Sequence, residues 1–209
     1  SFARSIQSSM LPDYIPDIPS LDIIGFSQSA AAVGGDYYDY FKISDFEFGM
    51  AIGDVNGHGV SAGLLMSMAK SCLFVQGKVD PSVLAMMEAL NGMIFGGTKE
   101  RLFMTFIYSI FHLQNQTVTL SSAGHHLPYL YRAATGEMEP IQVKPTYPLG
   151  VREKVKFNEV TVQLAPHDIL VYYTDGIIEA HNPDGEEFGF ERLEELIIAN
   201  RNLGSAGIQ

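Results

Sequence analysis

Three aspartates carry the chemistry that this chain can be expected to do. Asp36 follows two glycines at the head of a strand-like run, GGDYYDYF (34–41). Asp54 ends an apolar run in AIGDVNGHG (51–59), and Asp175 ends another in LVYYTDGIIE (170–179). Taken singly, each is accounted for by turn chemistry, since Asp and Gly are common turn residues. Taken together, they aim carboxylates at strand ends, where like charges repel unless something neutralises them. A hard divalent cation does so, because carboxylate, backbone carbonyl and water ligands suit Mg²⁺ or Mn²⁺. Glycines beside the acids let backbone carbonyls come close.

The loop after Asp54 has the layout of a phosphate cradle between a strand and a helix. A P-loop, GxxxxGK[ST], would place a lysine beside its second glycine. Here Val60 and Ser61 follow Gly59, and the next lysine is Lys70. The loop reads as one that holds a metal, and the metal can hold phosphate.

Positioning those acids requires strands, and the pattern supplies them in pairs. Strands are expected at 21–27 (LDIIGFS), 37–44 and 48–55, then at 104–113 and 117–123, and finally at 128–134, 157–164 and 168–176. Helices are expected at 61–75, at 81–94 with Pro81 in its opening turn, and at 191–201. Phe2, Ile6 and Met10 form a short amphipathic stripe, ended by Pro12, Pro16 and Pro19. Hairpin-length connections imply mostly antiparallel sheets. The expected class is α+β, with two sheets carrying helices on their outer faces. The boundary falls in the proline connector: residues 1–19 as helix and connector, 20–209 as the main domain.

Composition narrows the function. With Lys+Arg 13 against Asp+Glu 24, the net charge is −11, which disfavours nucleic acid and anionic lipid as partners. The lone Cys72, in the apolar stretch SCLFV, excludes a disulfide framework, fits a reducing compartment and reads as an inert core thiol. There is no signal peptide and no uncharged apolar run near the ~20 residues that cross a bilayer, so the expectation is a soluble, cytoplasmic protein without membrane insertion.

Five ordered motifs, GGDYYDYF, GDVNGHGVSAGLLM, SSAGHHLPYLY, YPLGV and YYTDGIIEAHNPDGEEFGFERL, give the chain a family resemblance from about residue 5 to residue 200. It resembles the bacterial metal-dependent serine/threonine phosphatases of type 2C-like form, in their stage II sporulation E and sigma-factor-regulator branch. The resemblance implies a β-sandwich of two antiparallel sheets flanked by helices. It implies hydrolysis of phosphoserine or phosphothreonine by a water bridging two Mn²⁺ or Mg²⁺ ions. Carried over by motif, Asp54 bridges both ions, the Val55 carbonyl ligates one, and Asp36 and Asp175 supply one further carboxylate each. These three aspartates are thus the catalytic as well as the metal-binding candidates.

His58 stands four residues after Asp54 and reads as a loop-ordering residue rather than a general acid. His125 and His126 fall in a structural turn, and Asp39 reads as a supporting or surface acid rather than a ligand. The resemblance also implies a closing strand with an Asp-Asp-x-Ser/Thr motif, and the sequence ends at LGSAGIQ before one. The implied substrate is a phosphorylated anti-sigma-factor antagonist, with Arg101 and Arg132 as possible basic contributors to its binding. Separately, the stripe of Phe2, Ile6 and Met10 ahead of the proline connector suggests a helix that passes a signal from an upstream sensor domain at a homodimer interface. The alternative is a catalytically weak regulatory or partner-binding module of the same fold. A small-molecule phosphoesterase is disfavoured by the lack of a basic pocket motif.

Overall fold

In a computed structural model, residues 9–14, 16–28, 34–57, 59–97 and 102–208 are described. They divide into two compact units. The first takes in most of residues 27–125 together with 143–163, and the second 126–142 and 164–209 with the segment around residue 20.

The first unit holds a five-stranded sheet of β1 (Asp36–Lys42), β2 (Glu47–Val55), β3 (Met104–His112), β4 (Thr117–Ala123) and β7 (Val160–Gln163), in the order β1-β2-β3-β4-β7. Every ladder is antiparallel. The central strand, MTFIYSIFH, is buried at nearly every position. That explains why it reads as a continuous apolar run rather than an alternating one. Two helices follow β2: α1 (Val60–Val79) and α2 (Val83–Gly97). Leu65, Met66, Ala69 and Leu73 of α1 and Met86, Met87, Leu90 and Ile94 of α2 form one core with Tyr37, Ala51, Val55, Phe106 and Tyr108 of the sheet.

Among the described residues, α1 is the one helix long and apolar enough, by length and composition, to cross a membrane. Lys70 and Lys78 interrupt it, and its buried residues belong to this core.

The second unit holds a three-stranded antiparallel sheet of β5 (Tyr129–Arg132), β6 (Glu137–Pro140) and β8 (Ile169–Val171), in the order β6-β5-β8. Three helices complete it: α3 (Asp175–Ile178), α4 (Gly189–Asn200) and α5 (Ser205–Ile208). His126, Tyr129, Tyr173 and Phe190 pack as a ring cluster with centroids 5.8 to 6.4 Å apart.

The expected class, α+β with two antiparallel sheets and flanking helices, is the one observed. Three local readings need correction. No strand forms over 21–27: Leu21 makes only an isolated bridge with Ile18, and the Asp22 carboxylate instead accepts bonds from the Ser205 amide (2.8 Å) and hydroxyl (2.6 Å). β6 was not foreseen, because EMEP is short, charged and closed by proline, which is how an edge strand disguises itself as a turn. β8 stops at Val171, so Asp175 opens a helix rather than ending a strand. Phe2 and Ile6 lie outside the described residues, while Met10 packs against the first unit's core.

Candidate functional site

The β1–β2 hairpin brings the first two acids together. Its register sets Asp36 opposite Asp54. Across β2, Asp54 stands opposite Thr105 of β3, so the three residues form one row on one face of the sheet. Both carboxylates are half-buried. Like charges so placed repel, and the sheet gains nothing from them by itself.

What lies beside this pair gives it a chemical sense. The point where a side chain would begin at Gly35 is 2.5 Å from Asp54 Oδ1, 2.7 Å from the Val55 carbonyl oxygen and 3.3 Å from the Gly57 carbonyl oxygen. Three oxygens converge on a space kept open by the absence of one Cβ. The Gly35 carbonyl accepts the Val55 amide at 3.1 Å, and the Phe103 carbonyl accepts the Asn56 amide at 3.0 Å, which pins the loop behind Asp54. Gly57 and Gly59 then turn the chain into α1 with φ of +124° and +80°, a region that side-chain-bearing residues rarely enter. Hard oxygen donors of this kind fit a divalent cation such as Mg²⁺ or Mn²⁺. Among the described residues no three acids, histidines or cysteines gather, so the donor set is carboxylate plus carbonyl.

The remaining polar groups nearby are engaged with one another. Thr105 Oγ1 donates to the Asp54 carbonyl at 3.4 Å and shares a 2.7 Å hydrogen bond with Nδ1 of buried His125. Asp39 accepts from the Tyr37 hydroxyl (2.8 Å), the Tyr40 amide (2.9 Å) and Lys70 Nζ (2.5 Å). Burial, and then the charge of Asp39, push the Tyr37 hydroxyl far above the usual phenol range, so it remains a donor. Burial also pushes the Cys72 thiol up, which keeps it protonated and unreactive at neutral pH.

Asp175 belongs to the second unit. It is half-buried at the first position of α3, where its carbonyl accepts the Glu179 amide at 2.8 Å. His126, in the same unit, stacks on Tyr173 with centroids 5.8 Å apart. Arg132, one of the two basic candidates, donates to the nearly buried Asp168 carboxylate at 3.0 Å within its own unit. His58 and Arg101 lie outside the described residues. Sequence reasoning missed Thr105, and it noted the glycines beside the acids without foreseeing that three oxygens converge at Gly35. The doubled glycine before Asp36 was the available signal for that convergence.

The fold, two antiparallel sheets with flanking helices, is of the type 2C-like phosphatase kind, as its likeness to solved domains of that kind shows. The chain belongs to the SpoIIE family, whose model, Stage II sporulation protein E (SpoIIE), matches residues 44–208. It is similar to the phosphoserine phosphatase RsbU of Bacillus subtilis, 26% identical over 88% of this chain and 54% of that protein. In structure it is similar to the SiaA-PP2C domain of Pseudomonas aeruginosa, with a TM-score of 0.78, 19% identity and 99% and 83% of the two chains covered. RsbX, solved in complex with magnesium, shares the fold at a TM-score of 0.65 and 16% identity, over 88% and 80% of the chains. The chain spans between 35% and 54% of the length of the curated relatives it matches.

Proposed function

We propose that this chain is a metal-dependent phosphoprotein phosphatase domain. It hydrolyses phosphoserine on a small folded signalling partner, of the kind an anti-sigma-factor antagonist represents, in the cytoplasm. The observation that carries the reading is the convergence of Asp54 Oδ1 and the Val55 and Gly57 carbonyls on the space at Gly35, next to Asp36. Asp36, Asp54 and the Val55 carbonyl are the residues that would hold the metal, Mn²⁺ or Mg²⁺, as part of a two-ion site. The bound metal supplies a water acidic enough to attack at neutral pH and neutralises charge on the phosphoryl oxygens. The chain's own part is to keep its oxygens fixed. The Val55 amide is tied to the Gly35 carbonyl, and the Asp54 carbonyl to Thr105. Similarity to a protein called a phosphoserine phosphatase supports the choice of phosphoserine. Asp175 carries the same expectation, and Asp175→Asn tests it separately.

The test is hydrolysis of a phosphoserine protein by this chain after chelation and after return of Mn²⁺. Activity should vanish with the first treatment, recover with the second, and be absent from Asp54→Asn throughout. Turnover by Asp54→Asn at the wild-type rate would sink the proposal.

A second reading, a partner-binding module with little turnover, draws on the lack of a three-ligand cluster among the described residues. It predicts tight binding of the phosphorylated partner with no phosphate released at any Mn²⁺ concentration.

A further inference from the structure

Lys70 stands midway along α1, and its ammonium reaches the Asp39 carboxylate of β1 at 2.5 Å. Asp39 also accepts from the Tyr37 hydroxyl and the Tyr40 amide, so three donors fix one carboxylate. The Asp39 side chain is 13% exposed and that of Lys70 40%, and a partly exposed ion pair adds little to stability. Its direction matters more than its strength. The apolar contacts of Leu65, Met66, Ala69 and Leu73 hold α1 on the sheet by a non-directional attraction, and their packing sets its angle and register only within a tolerance. A hydrogen-bonded ion pair is directional and narrows that tolerance.

The two elements so joined lead into the two sides of the oxygen cradle. β1 begins at Asp36. α1 begins at Val60, directly after the loop whose Val55 and Gly57 carbonyls converge on Gly35. Successive side chains on a strand alternate in direction, so Asp39 points to the face opposite Asp36 and cannot share its ligand role.

We propose that Lys70 and Asp39 are positioning residues for the cation cradle, fixing α1 against β1 and so holding Asp36 and the Val55–Gly57 carbonyls at a constant separation. This rests on the metal-binding reading above, and the two are separable by experiment.

Mn²⁺ alone is the probe, titrated into the 209-residue chain and followed by the resonance signal of free Mn²⁺ and by calorimetry. Wild type should bind, and Asp54→Asn should not. Lys70→Met and Asp39→Asn should each weaken Mn²⁺ binding ~10-fold or more, as loss of a group that orients a ligand does elsewhere. Lys70→Arg should restore most of the affinity, and the Lys70→Met/Asp39→Asn double variant should be no weaker than either single one. Melting temperatures should stay close to wild type in all of them. Wild-type Mn²⁺ affinity in Lys70→Met and Asp39→Asn, with binding still lost in Asp54→Asn, overturns the positioning role. Additive losses in the double variant overturn it too. Failure of wild type to bind Mn²⁺ overturns the metal reading itself, and the positioning role with it.

Discussion

Asp54 faces Asp36 across the β1–β2 ladder, so a substitution there acts on charge as well as chemistry. Asp54→Asn removes one of two like charges and should raise the metal-free melting temperature by ~1–3 °C, because opposed like charges cost ~0.2–1 kcal/mol. Calorimetric scanning without metal checks this, and a clear fall in melting temperature would show that the carboxylate is held by favourable contacts instead. Gly35→Ala is the steric counterpart. Its Cβ would sit 2.7 Å from a backbone carbonyl that cannot swing away as the Asp54 side chain can. The crowding should cost ~1–3 kcal/mol and reduce Mn²⁺ affinity together, and unchanged affinity would remove Gly35 from the site. At this scale the sequence was half legible. Asp36 and Asp54 announced themselves as strand-end acids. The convergence of carbonyls on Gly35 did not, because a doubled glycine looks the same whether it makes a turn or leaves room for an ion. The Lys70–Asp39 pair was invisible, being 31 residues apart along the chain.

The two helices of the first unit set the element scale. Leu65 and Leu90 lie in its core, essentially without exposure, whereas Phe74, on the same helix as Leu65, is 65% exposed. Leu65→Ala and Leu90→Ala should each cost ~2–5 kcal/mol, while Phe74→Ala should stay within ~0.5 kcal/mol. Urea denaturation distinguishes them, and a large loss from Phe74→Ala would mean that the outer face of α1 is covered in solution. These helices were legible because their runs rich in Ala, Leu and Met, 20 and 15 residues as formed, are too long for a strand, and Pro81 marks where the second opens. Short elements were less so. EMEP has too few residues for a period, and the strand before Asp175 ends at Val171 although YY continues its apolar run: Tyr173 turns into the ring cluster with His126, Tyr129 and Phe190. LDIIGFS looked like a strand from its branched residues, yet its Asp22 is tied to Ser205, and among the described residues no strand pairs with it.

For the molecule as a whole, the net charge of −11 sets the terms of recognition. A phosphorylated partner is acidic where it must approach, so long-range attraction cannot deliver it. Charge beyond a Debye length of ~8 Å is screened at physiological salt in any case. Affinity then has to come from local contacts over a folded surface. The intact phosphorylated domain should be hydrolysed with a kcat/KM at least ~10-fold above that of the phosphopeptide cut from it, a difference of ~1.4 kcal/mol in transition-state stabilisation. Salt should change the rate only modestly. Equal kcat/KM for the two substrates would leave a phosphatase that reads the phosphoserine and nothing around it.

The hairpin that carries both acids closes through residues 43–46, where the Ile43 and Ser44 amides bond back to the Glu47 carbonyl. Asp36 and Asp54 are at its other, open end, and β1 is the outermost strand of the sheet. A hairpin zips from its turn, so this end of the ladder, closed by the bond from the Val55 amide to the Gly35 carbonyl, is the last part to form. β2 is braced by β3 on its far side, whereas β1 is an edge strand. An opening at this end would part Asp36 from Asp54 while β2 and β3 stay paired. Occupancy of the cradle and closure of the strand end are therefore one equilibrium, and whatever bridges the two acids also slows the exchange of the β1 amides with solvent.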